Sequence, residues 1–162
     1  MDDTSFSAER LFKSATITLN GPIGKVFPLF GALEEKKWAD GWNPIVMYPT
    51  SEKLEEGMVF TTPAHGHGET AYAWIVSKYQ PDNHLIEYIV STTNRYWVIS
   101  IKCRASSDTE TEATVSYTFT GLTPLGNEIN KHAIGKMYER NLQDWEEAIN
   151  YYLKTGNALK HH

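Results

Sequence analysis

Apolar and polar residues alternate through most of the chain from Phe12 to Gly121, and a helical beat replaces that alternation after Asn20 and again after Pro124. In Phe12–Asn20, Ala15, Ile17 and Leu19 alternate with Ser14, Thr16 and Thr18, the pattern of a strand with one buried face. Asn20-Gly21-Pro22 then predicts a helix start, and Ile23, Val26, Phe27 and Phe30 follow at i, i+3, i+4, i+7. Pro28 bends or shortens this helix and Gly31 ends it. Ala32 to Asp40 reads as a second short helix, with Glu34-Glu35-Lys36-Lys37 as a charged outer face and Trp38 turned inward.

Strands follow. Trp42–Tyr48 is interrupted by Pro44 and belongs at an edge or rim. Met58–Thr62, Glu69–Tyr79, His84–Thr92, Tyr96–Ala105 and Glu112–Gly121 complete the set, separated by turn residues such as Pro81-Asp82-Asn83 and Thr93-Asn94. The clearest period of two is the last, where Ala113, Val115, Tyr117 and Phe119 alternate with Thr114, Ser116, Thr118 and Thr120. From Pro124 to about Thr155 the pattern predicts one helix of roughly 30 residues, or ~45 Å. Its apolar stripe is Tyr138, Leu142, Trp145, Ile149 and Tyr152, and Gly156 stops it.

Several stretches resemble the helix-grip superfamily (SRPBCC, START-like, Bet v 1-like). Ser14-Ala15-Thr16-Ile17-Thr18-Leu19-Asn20-Gly21-Pro22-Ile23-Gly24-Lys25-Val26-Phe27 is similar to its opening strand and helix, "I-x-A-P-x-x-x-V-F". Trp38 and Trp42 resemble the tryptophan that follows the short helices. Glu56-Gly57-Met58-Val59-Phe60 resembles "x-x-G-x-x-F", and Ala71 to Pro81 the "V-x-x-Y-x-P" strand. The likeness covers about Phe12 to Gly156 and looks closest to the polyketide cyclase/dehydrase-like branch. It implies an α+β helix-grip fold: a curved antiparallel sheet of about seven strands around a long C-terminal helix, with two short helices after the first strand. Because the superfamily hosts binders, transporters, cyclases and co-chaperones, it does not name a reaction.

Such a fold implies a pocket of ~300–1,000 Å³ between sheet and helix, apolar with a few placed polar groups. On the sixth strand the inward set is expected to be Trp97, Ile99, Ile101 and Cys103 rather than Tyr96, Val98, Ser100 and Lys102. On the last it is Val115, Tyr117 and Phe119, while on the fourth Tyr72/Trp74/Val76 and Ala71/Ala73/Ile75 remain open. The expected ligand-contacting residues are Trp42, His65, His67, Trp74, Tyr88, Arg95, Trp97, Ile99, Tyr117, Phe119, Ile134 and Tyr138.

His65 and His67, in Pro63-Ala64-His65-Gly66-His67-Gly68, suit hydrogen bonding to a ligand at the cavity mouth. A metal site needs a third ligand, and nothing in the spacing joins Glu69, His84 or His132 to them, so no metal and no cofactor is assigned. Arg95 is either a clamp for a ligand carboxylate or a cross-strand partner of Glu87. His132 reads as a helix-surface residue and Cys103 as a buried structural thiol. Gly126 and Asn127 leave Thr123–Asn127 open as a gate or an ordinary helix start.

Composition narrows the classes. The 162 residues, 41% hydrophobic and 22% charged, suit one globular domain with polar tails at 1–10 and 157–162. A net charge of −5 without a basic cluster argues against nucleic acid. With one cysteine, no signal segment at the N-terminus and no apolar run long enough for a membrane span, the chain reads as a cytoplasmic monomer or homodimer. His161-His162 are left out of site reasoning. The first functional expectation is binding of a hydrophobic or aromatic, lipid- or polyketide-like small molecule. The alternatives are a cofactor-independent cyclase/dehydratase, with His65, His67, Glu87 or Tyr117 moving the proton, and an Hsp90-activator-like interaction module.

Overall fold

The computed structural model describes residues 5–66 and 68–160, apart from the side chain of His65; His67 and that side chain therefore lie outside the described residues. Seven strands form one antiparallel sheet in the order β1-β7-β6-β5-β4-β3-β2. They are β1 (Arg10–Leu19), β2 (Ile45–Tyr48), β3 (Val59–Gly66), β4 (Glu69–Gln80), β5 (Leu85–Ser91), β6 (Arg95–Ser107) and β7 (Glu110–Gly121). Between β1 and β2 run a single helical turn, α1 (Ile23–Val26), and two 3₁₀ turns, Phe27–Phe30 and Glu34–Lys37. Two helices, α2 (Pro124–Met137) and α3 (Gln143–Thr155), follow the sheet.

Register aligns the alternating apolar residues in rows across the inner face. Tyr117, Ile99 and Tyr88 stand side by side, and Tyr88 in turn opposes Val76. The next row runs Phe119, Trp97, Val90, Trp74, Phe60. On β6 the inward set is Trp97, Ile99, Ile101 and Cys103, as the alternation predicts. On β4 the question left open is answered by Tyr72, Trp74 and Val76, which pack on the core while Ile75 is exposed.

Three expectations are corrected. The single long helix is two, because Asn141 and Leu142 take φ of 52° and 62°. That left-handed conformation disfavours non-glycine residues by roughly 1–2 kcal/mol each. Burial of Leu142 offsets it, and the Leu142 carbonyl accepts from the N–H groups of Trp145 and Glu146, starting α3 afresh. The break lets the Tyr138 hydroxyl donate to the Val115 carbonyl (3.1 Å) while Trp145 reaches Trp38 and Tyr117. Second, the helix expected over 32–40 shrinks to the 3₁₀ turn Glu34–Lys37. Third, β2 starts only at Ile45, and Trp42 precedes it with its indole donating to the Ala32 carbonyl (2.6 Å).

The start of α2 is a tight junction and not a gate. Thr123 caps it by accepting from Gly126 N–H (3.0 Å), and its hydroxyl bonds Asn94 (3.0 Å). A Cβ on Gly126 would stand 1.8 Å from the Asn94 carbonyl oxygen, so glycine is required here by close approach. Asn127 bonds the backbone of Ser7 and Glu9, fixing the chain ahead of β1.

Candidate functional site

The inner face does not close completely over its rows of rings. A narrow chamber of about 200 Å³ remains, lined by Glu35, Trp38, Ala39, Trp42, Trp74, Tyr88, Ile99, Ile101, Tyr117 and Trp145. Its deep end is the buried group Tyr88, Ile99, Ile101, Tyr117 and Trp38, and half-buried Ala39, Trp42, Trp74 and Trp145 continue towards the surface. The volume falls below the expected range because Trp97, Phe119, Ile134 and Tyr138 fill the rest of the interior between sheet and α2.

Six aromatic side chains wall the chamber. Trp42 meets Trp74 edge to face at 5.3 Å, and Trp74 meets Tyr88 likewise at 5.6 Å. Most of their polar tips are already engaged. The indole N–H groups of Trp38 and Trp74 donate to the Leu29 carbonyl (2.7 Å) and the Thr62 hydroxyl (3.0 Å). Trp42 is held at Ala32, as described, and the Tyr88 hydroxyl donates to the Phe30 carbonyl (2.7 Å). Three polar groups make no hydrogen bond among the described residues: the Glu35 carboxyl, the Tyr117 hydroxyl and the Trp145 indole.

Glu35 is the residue that sequence reading missed. As part of a charged run it reads from the sequence as an outer-face residue. The 3₁₀ turn repeats every three residues, so Glu35 lies on the same side as Trp38 and shares its chamber. Glu35 keeps some accessible surface, as a chamber wall must, yet protein surrounds it. That burial pushes its carboxyl well above the ordinary carboxylate range. Burial also raises the Tyr88 and Tyr117 hydroxyls, and the nearby charge of Glu35 adds to both shifts.

Of the expected ligand-contacting residues, the chamber brings together Trp42, Trp74, Tyr88, Ile99 and Tyr117. Trp97, Phe119, Ile134 and Tyr138 are packed in the core beside it. Arg95 is committed elsewhere. Its guanidinium forms a forked pair with Glu69 (2.9 and 3.0 Å), with side chains 5% and 2% exposed, and it lies 4.5 Å from the Trp97 ring centroid. It also donates to Asn130 (3.3 Å). Arg95 is thus neither a free clamp nor a partner of Glu87, which bonds Ser77 instead (3.1 Å). Buried Cys103 has its thiol raised to about 12, chiefly by desolvation. No group of three His, Cys, Asp or Glu side chains suited to a metal occurs among the described residues.

A wider groove of about 600 Å³ lies outside, along the break between α2 and α3. His132, Lys136, Glu139, Arg140 and Asp144 line it with Tyr72, Ile129 and Met137. It is the larger space and Arg95 also lines it, but Arg95 is buried and held by Glu69, the other charged groups are exposed, and Arg140 is paired with Asp144 and Glu147. Exposed pairs of this kind hold little binding energy. The chamber, with buried rings and an unpartnered acid, is the better candidate. Trp145 walls both spaces.

A curved seven-stranded antiparallel sheet, two short turns after its first strand and helices closing over its inner face define the helix-grip class. Solved structures bear this out. Norcoclaurine synthase from Thalictrum flavum, in complex with dopamine and hydroxybenzaldehyde, matches at TM-score 0.67 and 10% identity, over 91% of this chain and 88% of that one. The ZhuI aromatase/cyclase from Streptomyces sp. R1128 matches at 0.69 and 10%, over 93% and 100%. Ara h 8.0201 matches at 0.63 and 18%, over 92% and 99%. The SRPBCC, Bet v 1-like resemblance read from the sequence therefore holds as a statement of fold, and an aromatase/cyclase is among the structures that share it. No protein-family model and no curated protein sequence matches the chain. No helix among the described residues is long and apolar enough to cross a membrane.

Proposed function

We propose that the chain binds a small, one-ring aromatic molecule in the inner chamber. The observation that carries this reading is a space of about 200 Å³ walled by six aromatic side chains. An apolar cavity of ~150 Å³ accepts a benzene ring, so this one suits a single ring with a short substituent. A long acyl or polyketide chain exceeds it. Edge-on and face-on contacts with Trp and Tyr rings would favour an aromatic guest over an aliphatic one of the same size. One solved structure of the same fold, norcoclaurine synthase, carries dopamine and hydroxybenzaldehyde.

Titration with 2-phenylethanol, followed by quenching of tryptophan fluorescence, tests the reading. Saturable binding that Ile99→Trp abolishes by filling the chamber is expected. Absence of binding by this and other one-ring compounds refutes it.

A second reading is favoured by one specific observation, the unpartnered buried carboxyl of Glu35. A carboxyl with a raised pKa is suited to general acid–base work near neutral pH. In that reading the chamber is the active site of a cofactor-independent cyclase or dehydratase, with Glu35 moving the proton and Tyr117 orienting the substrate.

A further inference from the structure

The charges and donors of the chamber are unbalanced. Glu35 is the one charged side chain among its ten lining residues, and they include no Lys, Arg or His. The Glu35 carboxyl has no hydrogen-bond or ion-pair partner among the described residues. The groups facing it from the packed elements are Trp74 of β4, Tyr88 of β5, Ile99 and Ile101 of β6, Tyr117 of β7 and Trp145 of α3. Of these only the two tyrosines titrate, and neither supplies a cation. On its own turn, Lys37 is held by Glu34 at 3.0 Å and Lys36 is exposed.

We infer that the chamber selects a small organic cation, an arylalkylamine whose ammonium sits against Glu35 among the indole and phenol rings. The inference rests on the aromatic-ligand reading above and adds the charge class of the guest. Aromatic faces attract ammonium groups, most strongly when desolvated, and a buried carboxylate without a partner is an uncompensated charge that a cation relieves. An anion meets the opposite situation. Three of the four indole N–H groups and the Tyr88 hydroxyl already donate to protein oxygens, so besides Tyr117 and Trp145 only Glu35 in its protonated form has a hydrogen to offer, and no lining residue supplies a cation to pair with an anion. Burial favours the protonated acid in the empty chamber. Binding R–NH₃⁺ then forms the pair R–NH₃⁺/⁻OOC–Glu35 and releases the carboxyl proton to solvent. Affinity for the amine therefore rises with pH up to the pKa of Glu35 in the empty protein, by at most about tenfold per pH unit.

The test is calorimetric titration of the full chain with three nearly isosteric probes: 2-phenylethylamine, 2-phenylethanol and phenylacetate. The amine is expected to bind at least tenfold more tightly than the alcohol at mildly alkaline pH and to lose affinity as pH falls below the pKa of Glu35 in the empty protein. Below the pKa of Glu35 in the empty protein, buffers of different ionisation enthalpy are expected to show close to one proton released with the amine and none with the alcohol. Phenylacetate is expected not to bind. Glu35→Gln, nearly isosteric, is expected to bring the amine to the level of the alcohol, and Tyr117→Phe to preserve the preference. If the alcohol binds as tightly as the amine, or Glu35→Gln keeps the preference, the cation inference is overturned while the aromatic-ligand reading stands. If none of the three binds, the chamber reading fails and this inference with it.

Discussion

Glu35→Gln makes a sharp prediction about stability even without a ligand. The carboxyl of Glu35 has an ordinary value of 4.5, and burial raises it well above that in the folded chain. Between these two values the folded state holds a proton that the unfolded state has released. Stability therefore falls as pH rises from about 4.5, and the fall stops once the folded-state pKa is passed. Within the window the slope from this one group approaches 1.4 kcal/mol per pH unit, so two units are worth up to about 2.7 kcal/mol. Glutamine has nearly the same shape and does not titrate. Every other titrating group is shared by the two proteins and cancels in their difference. The gap in unfolding free energy, variant minus parent, is thus expected to be smallest at about pH 4.5 and to widen as pH increases. For a chain of this size each kcal/mol moves the midpoint by about 2–4 °C. Urea unfolding of both proteins at closely spaced pH values reads the gap directly. A difference that stays constant with pH, or that narrows as pH rises, refutes the burial of an unpartnered carboxyl.

Other substitutions probe the frame around the chamber. Gly126→Ala places a methyl 1.8 Å from the Asn94 carbonyl oxygen, and the forced backbone shift is expected to lower stability by about 3 kcal/mol or more, read by thermal melting. Arg95→Ala removes the cation that pairs with the buried Glu69 carboxylate, and a loss of about 3–5 kcal/mol in urea unfolding is expected, with Arg95→Met/Glu69→Gln losing less than the sum of its single changes. With its pKa raised to about 12, Cys103 is expected to resist thiol reagents at mildly alkaline pH in the folded protein and to react on unfolding. Fast reaction in the native state contradicts its placement.

Much of this architecture is legible in the alternation of residues, and the reasons for the rest are local. On β6 and β7 the period of two selects the inner face, because one alternating set is plainly more apolar than the other. On β4 both sets are apolar enough that only the observed packing separates Tyr72, Trp74 and Val76 from Ile75. The break between α2 and α3 is hidden because the stripe Tyr138, Leu142, Trp145 keeps helical spacing across it, and Asn141-Leu142 contains neither Gly nor Pro. Glu35 is hidden by its neighbours, since a run of four charges reads as a wet face. The available signal was its place three residues before Trp38, on the same side of a tight turn. Arg95 finds Glu69, 26 residues away on another hairpin, and no spacing rule joins them.

The most direct measurement of the central claim is isotope-filtered nuclear Overhauser spectroscopy of the labelled chain with unlabelled 2-phenylethylamine. Ring protons of the ligand are expected to show contacts with the methyl groups of Ile99 and Ile101, which line the inner chamber. Contacts confined to Ile129, Ala133 and Met137, which line the outer groove, or no contacts at all at saturating ligand, contradict it.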